Sequence, residues 1–145
     1  MSSNIREFEL QVDRAVAESE KRFTQFKAQV AADGASGVIS KSPVDTGFLV
    51  NSWTVSAGDV TLGAGAVASS DNQSLSESEA ESLRQSNASA ARGAAQVAAR
   101  AADVITIANG ANYAVFIEEG AAGRSPQPMV APTLAELRSK YRRVR

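Results

Sequence analysis

The sequence predicts an α+β fold in which a small antiparallel sheet is packed by a long N-terminal helix, an Ala-rich middle helix and a C-terminal helix. Three observations predict it. Apolar residues recur at helical steps along the N-terminal stretch, alanines dominate residues 75–102, and two runs rich in β-formers, FLVNSWTVSA at 48–57 and VITIA at 104–108, stand apart in the chain. No internal repeat or sharp boundary divides the 145 residues, so a single domain is expected.

In the first element Ile5, Phe8, Val12, Val16, Phe23, Phe26 and Val30 follow one another at three- and four-residue steps, with Ser19 filling the one gap. Asn4 and Glu7 have the spacing of a capping box. The expected helix, over about residues 4–32, is about 42 Å long, more than a domain of this size covers end to end. Part of its apolar stripe is therefore expected to pack on a neighbour or elsewhere in an assembly. Gly34 and Gly37 are expected to end it.

Val38 and Ile39 form a short apolar anchor, and Pro43, Asp45 and Gly47 then punctuate a turn. Proline fixes its own φ, glycine accepts φ > 0, and Asp45 has the chemistry of an Asx-turn with the amides that follow. A strand over 48–57 comes next, with Trp53 and Val55 on one face and Thr54 on the other. Residues 58–74 read as a Gly/Ser-rich loop or a weak hairpin around Val60–Leu62 and Ala66–Ala68. The middle helix opens with Ser76 and Glu79 at capping-box spacing, but its only bulky apolar residues are Leu75, Leu83 and Val97, so packing specifies it poorly. After a second strand at 104–108, Asn109 and Gly110 read as a hairpin-type turn. NYAVFIEEG fits either a strand or a short helix, and Gly120 as a C-cap with the pairing of Tyr113, Phe116 and Ile117 favours a helix of about two turns. The terminal helix covers 130–141, with Leu134, Leu137 and Tyr141 at helical spacing and Pro132 in its first turn.

Composition excludes more than it supplies. With no His and no Cys there is no disulfide framework, no thiolate or imidazole zinc site, no Cys nucleophile and no Ser-His-Asp triad. Hydrophobic residues make up 43% of the chain but aromatics only 6%, so the core is expected to be thin, built largely of alanines that bury little area each. No stretch has the roughly 20 apolar residues that span a bilayer. MSSNIREFELQVDR carries acids where a signal peptide would be basic and then apolar, so no membrane partner and no export by that route are expected. The net charge of -1 is uneven: residues 121–145 hold Arg124, Arg138, Lys140, Arg142, Arg143 and Arg145 against the single acid Glu136.

Few constellations suggest chemistry. Glu118 and Glu119 are adjacent acids that could do acid-base work or hold a divalent cation, yet sequence neighbours point apart in a helix or strand and nothing else completes a metal shell. A structural role, pairing charge or accepting backbone amides near the glycine loop, is the stronger reading. The glycines at 58, 63 and 65 match no phosphate-binding pattern. Trp53, Tyr113 and Phe116 read as core residues. The C-terminal RSKYRRVR is a helix end favoured by the macrodipole or an electrostatic contact with phosphates or an acidic protein surface. GAAGRSPQP differs from these, because its prolines stiffen an extended loop suited to docking on another chain.

SPVDTGFLVNSW at 42–53 resembles the SPVDTGxLxxSW-like segment of the tail-completion or neck proteins of tailed bacteriophages, and ANYAVFIEEGAAGRSPQPMVAPTL is similar to their YAxxxExG segment with its following proline loop. The resemblance covers about half of the chain. The order of elements agrees too. The departure is the stretch 59–103, longer than the usual connection, which reads as an insertion carrying a flexible loop and the Ala-rich helix. The resemblance implies a virion protein, assembled in the host cytoplasm, that closes as a ring of about six or twelve copies at the head–tail junction. Adjoining neck, connector, tail-tube or terminator proteins would be its partners, and it would have no enzymatic activity and no cofactor. Pro43, Asp45 and Gly47 would form the turn of the joint, and Tyr113, Glu118, Gly120, Arg124, Pro126 and Pro128 its docking loop. Arg138, Lys140, Arg142 and Arg143 would meet an adjoining ring or, non-specifically, packaged DNA. The competing reading is a nucleic-acid-binding accessory protein that uses the basic C-terminus.

Overall fold

The computed structural model describes residues 2–59 and 73–142. Its elements in chain order are α1 (Ser2–Lys41), α2 (Phe48–Asn51), β1 (Trp53–Ala57), α3 (Glu77–Ala101), β2 (Ile105–Asn109), α4 (Ala114–Glu119) and α5 (Val130–Tyr141). The fold is mixed α and β as expected, with one two-stranded antiparallel sheet in which Trp53 faces Asn109 and Ala57 faces Ile105. The hairpin expected within 60–68 lies outside the described residues.

α1 is longer than its pattern indicates. The helix is already under way at Ser2, which puts Asn4 inside it, and it runs through Gly34 and Gly37 to Lys41. The glycines do not break it because they serve packing: a Cβ on Gly37 would lie 2.6 Å from Cγ2 of Thr133 on α5, and one on Gly34 would touch Ile107 and Leu137. Helical hydrogen bonds and close approach to α5 together outweigh the modest cost of glycine in a helix. Across this seam Lys140 and Tyr141 donate to the Asp33 carboxylate, and Tyr141 meets Phe26 edge-on at 5.5 Å.

α3 lies along α1, its most extensive partner. The expectation of a poorly specified helix gives way here, since its alanines are the interface. Ala91, Ala95, Ala98 and Ala99 are buried from α3, and Ala31, Ala32 and Ala35 from α1. Small side chains let the two axes close up, so dispersion across a tight seam replaces large apolar volume. The capping box is present: the Glu79 amide donates to Ser76 Oγ, and the Ser76 amide to the Glu79 carboxylate. At the other end Lys27 Nζ donates to the Ala102 carbonyl at 2.8 Å, meeting one of the orphan carbonyls of the helix terminus.

The first β-rich run begins as a helical turn. Gly47 takes φ 91°, and Phe48–Asn51 coil as α2 with the Asn51 amide on the Gly47 carbonyl. Leu49 and Val50 are consecutive and both buried; a strand would send one of them outward. The expected strand survives from Trp53, with Trp53 and Val55 packed on the core. Asn109 closes β2 instead of making a hairpin turn, because β2 pairs back to β1: its amide group donates to the Leu49 carbonyl, and its side-chain oxygen accepts from the Ala111 amide. The six-residue α4 and the span of α5 agree with the sequence, although of Tyr113, Phe116 and Ile117 only Ile117 is buried.

Two glycine substitutions test the seam. Gly37→Ala is expected to lower the unfolding free energy by about 1–3 kcal/mol through overpacking against Thr133. Gly93→Ala, on α3 with nothing within 4 Å of a new Cβ, is expected to raise it by about 0.5–1 kcal/mol. Urea titration of both variants checks this, and a shift of the same sign and size in the two would refute close packing at Gly37.

Candidate functional site

The first block is closed on itself by its outer residues. Trp53 Nε1 donates to Ser42 Oγ at 2.8 Å, Ser42 Oγ donates to the Val38 carbonyl at 2.8 Å, and the Ser42 carbonyl accepts from Arg84 Nε at 3.0 Å. Between them Pro43, Asp45 and Gly47 make the turn. Asp45 reaches the entry of α3: its carboxylate accepts from the Ser74 hydroxyl and its carbonyl from the Leu75 amide. The interactions of Asp45 described here thus lead to α3, where the sequence reading expected an Asx-turn onto the following amides.

The second block folds back on α4. Gly120 has φ 82°, and a Cβ there would stand 3.0 Å from Pro126. The Gln127 amide donates to the Ile117 carbonyl, and Ala121 and Arg124 exchange backbone hydrogen bonds around Gly123, which has φ 79°. Residues 121–128, Pro126 and Pro128 included, are exposed.

Glu118 carries the main electrostatic feature. Its carboxylate accepts from the backbone amides of Met129, Val130 and Ala131 at 2.6 to 3.1 Å, capping the start of α5 from outside that helix. Burial pushes the carboxyl pKa up, and the three amide donors more than offset this, leaving it below the ordinary glutamate range. Glu119 is exposed. Glu118 is thus engaged by backbone amides, while its neighbour stays at the surface. Among the described residues no group of three acidic side chains converges to hold a metal ion.

The two blocks meet. Pro43, Asp45, Gly47, Tyr113 and Arg124 line one cleft of about 660 Å³, with Val44, Phe48 and Ile117 among its apolar residues. Tyr113 packs on Phe48 with ring centroids 5.9 Å apart, and burial together with the Asp45 charge raises its phenol pKa, keeping the hydroxyl protonated. The cleft is an apolar notch rimmed by a carboxylate, a phenol and a guanidinium.

The basic C-terminal residues described do not line this cleft. Lys140 is bound to Asp33 at 2.7 Å, whereas Arg138 and Arg142 are exposed; Arg143 lies outside the described residues. Burial raises the Asp33 pKa, and hydrogen bonds from Lys140, Tyr141 and Gln29 bring it below the ordinary aspartate range. Sequence reasoning missed Ser42, Arg84 and Asp33. For Ser42 the signal was available, since it and Trp53 bound the first block. Arg84 and Asp33 carry none, because each serves a partner about 40 or more residues away in the chain.

Comparison of the chain with protein-family models, with curated proteins and with solved structures finds no match in any of the three. No described helix is long and apolar enough to cross a membrane.

The two depressed carboxylates set an acid limit. A carboxyl whose folded pKa lies below its unfolded value contributes stability that is present above the unfolded pKa and lost as pH falls through the folded one. Stability is expected to be level above about pH 5 and to fall below about pH 4. Glu118→Gln is expected to cost about 1 kcal/mol at neutral pH. In thermal melts across pH 3–7 (roughly the range that brackets these carboxyl pKa values), Asp33→Asn combined with Glu118→Gln should flatten the acid slope. An unchanged slope would contradict the assignment.

Proposed function

We propose that this chain is a structural subunit of a tailed-bacteriophage neck that closes as a ring at the head–tail junction and joins the connector to the tail. The observation that carries this reading is the meeting of the two motif blocks in one cleft. Their polar groups are occupied in shaping a joint: Trp53 closes the first block on Ser42, and Glu118 fixes the start of α5. Gly47 and Gly120 hold backbone conformations that side chains oppose. What the blocks leave outward is an apolar notch, the Arg124 guanidinium and a loop stiffened by Pro126 and Pro128. These suit capture of a segment from an adjoining ring. Arg138 and Arg142 add a basic edge at the end of α5, open to a neighbouring acidic surface.

Mass measurement and electron microscopy of the full chain, alone and mixed with extracts of the particles that carry it, test the proposal. Closed rings of a single mass are expected, and Gly47→Val, which opposes φ 91°, should reduce ring and particle yield. A chain that stays monomeric in both conditions overturns the reading. So does tight DNA binding with a steep salt dependence that is abolished by deleting residues 138–145, which moves the protein to the nucleic-acid class.

A further inference from the structure

Every residue from 4 to 23 of α1 is exposed; Glu20 and Phe23 border a cleft with the end of α3, and the turns before them project beyond the body. Yet this half of the helix is not polar. Ile5, Phe8, Val12, Val16 and Phe23 lie along one side and are 44% to 65% exposed. Followed toward the C-terminus, that side is the one α5 already covers, since Phe26 meets Tyr141, Gly34 approaches Leu137 and Gly37 approaches Thr133. α5 ends at Tyr141. The bare stripe therefore continues a helix-binding face past the end of the helix that binds it. Glu9, Asp13 and Glu20, at helical steps of four and seven residues, give one flank of the stripe an acidic row.

A surface of opposite character lies on the outer ridge of α5. Val130, Leu134, Arg138 and Arg142 follow at four-residue steps, all exposed, apolar at the start of the helix and basic at its end. The two surfaces cannot meet within one molecule. Val130 and Leu134 belong to the end of α5 near Gly37, and about 30 Å of continuous helix separates Gly37 from the middle of the stripe.

We infer that the exposed stripe of α1 in one copy docks on the outer ridge of α5 in a second copy. The stripe covers Val130 and Leu134, and the acidic flank Glu9, Asp13 and Glu20 meets Arg138 and Arg142. The complementary surfaces belong to the same chain, which identifies the occupant as another copy of it. Because they are different surfaces, the contact is heterologous, and each copy can receive one neighbour and engage the next. Closure of such a series into a ring rests on the function proposed above; the contact itself does not.

Charge reversal in the full chain tests the contact. One variant carries Glu9→Lys, Asp13→Lys and Glu20→Lys; the other carries Arg138→Glu and Arg142→Glu. All five sites are exposed, and circular dichroism shows whether each variant keeps the wild-type fold. The wild type is expected to assemble in sedimentation, each variant alone to need at least about tenfold higher concentration, and an equal mixture of the two to recover wild-type assembly, because every contact then pairs opposite charges again. The chain has no cysteine, so Val12→Cys and Leu134→Cys introduced in separate copies should form a disulfide between those copies. A wild type that stays monomeric at the highest soluble concentration overturns the inference, as does assembly indifferent to either charge reversal or cross-linking of Val12→Cys only to its like. Closed rings that ignore the charge changes would refute this contact and keep the ring. Open fibres that the variants abolish and the mixture restores would keep the contact and refute the ring.

Discussion

Ser42 is fully buried where α1 ends, and the paths of four segments depend on its few atoms. Its hydroxyl donates back to Val38 and accepts from the Trp53 indole, its carbonyl accepts from Arg84 of α3, and the sulfur of Met129, just before α5, lies 3.3 Å from its oxygen. A larger side chain would not fit, and a smaller one would take this partner from the part-buried indole N–H. Because Ser42 and Trp53 are joined, the chain between them has to close into a loop. That loop carries the turn of Pro43, Asp45 and Gly47 and so one wall of the cleft. The shape of the candidate site therefore follows from a hydroxyl that takes no part in lining it.

Around that junction the chain builds a core from small residues. Alanines fill the α1–α3 seam and glycines the α1–α5 seam, so little apolar area is buried per residue and the helices must come close for the contacts to count. Close approach leaves little tolerance for error in helix position, and the polar contacts supply the registration. Thr133 shows both features at once: its methyl occupies the notch at Gly37 while its hydroxyl donates to the Met129 carbonyl at 2.6 Å. Glu118 fixes the first turn of the same helix from the other side. Among the described residues every buried side-chain polar atom has a partner, as a thin core requires, since it has little apolar burial to offset an unmet group.

Local signals were enough to read α1, α3 and α5 as helices, the Ser76 cap of α3 and the two strand regions. What sequence reasoning got wrong was decided by contacts across the chain. Gly34 and Gly37 look like helix ends until Leu137 and Thr133 stand beside them. Leu49 and Val50 look like strand residues until both are found in the core. Glu118 was legible as an acceptor of backbone amides near the glycine loop, but not as the cap of a helix that starts 12 residues later. Lys140 looks like part of a basic tail, yet it is bound to Asp33, 107 residues away, which no spacing rule could reveal. The two blocks were visible as blocks; their meeting in one cleft was not.

The same side of α1 is used in two ways along its length. Its C-terminal part is matched to α5 by glycines against which the side chains of Thr133 and Leu137 pack, whereas its N-terminal part carries phenylalanine, isoleucine and valine, which fill space instead of yielding it. A glycine seam suits a neighbour whose position is set by the fold; bulky residues suit one that must be held by area. A helix half with no partner of its own is marginal in water, so ordering it in isolation gives the monomer little. That cost is recovered only where the stripe is covered, and because α1 is one continuous helix from Ser2 to Lys41, whatever covers the stripe is aligned rigidly to the end that carries Ser42 and the cleft.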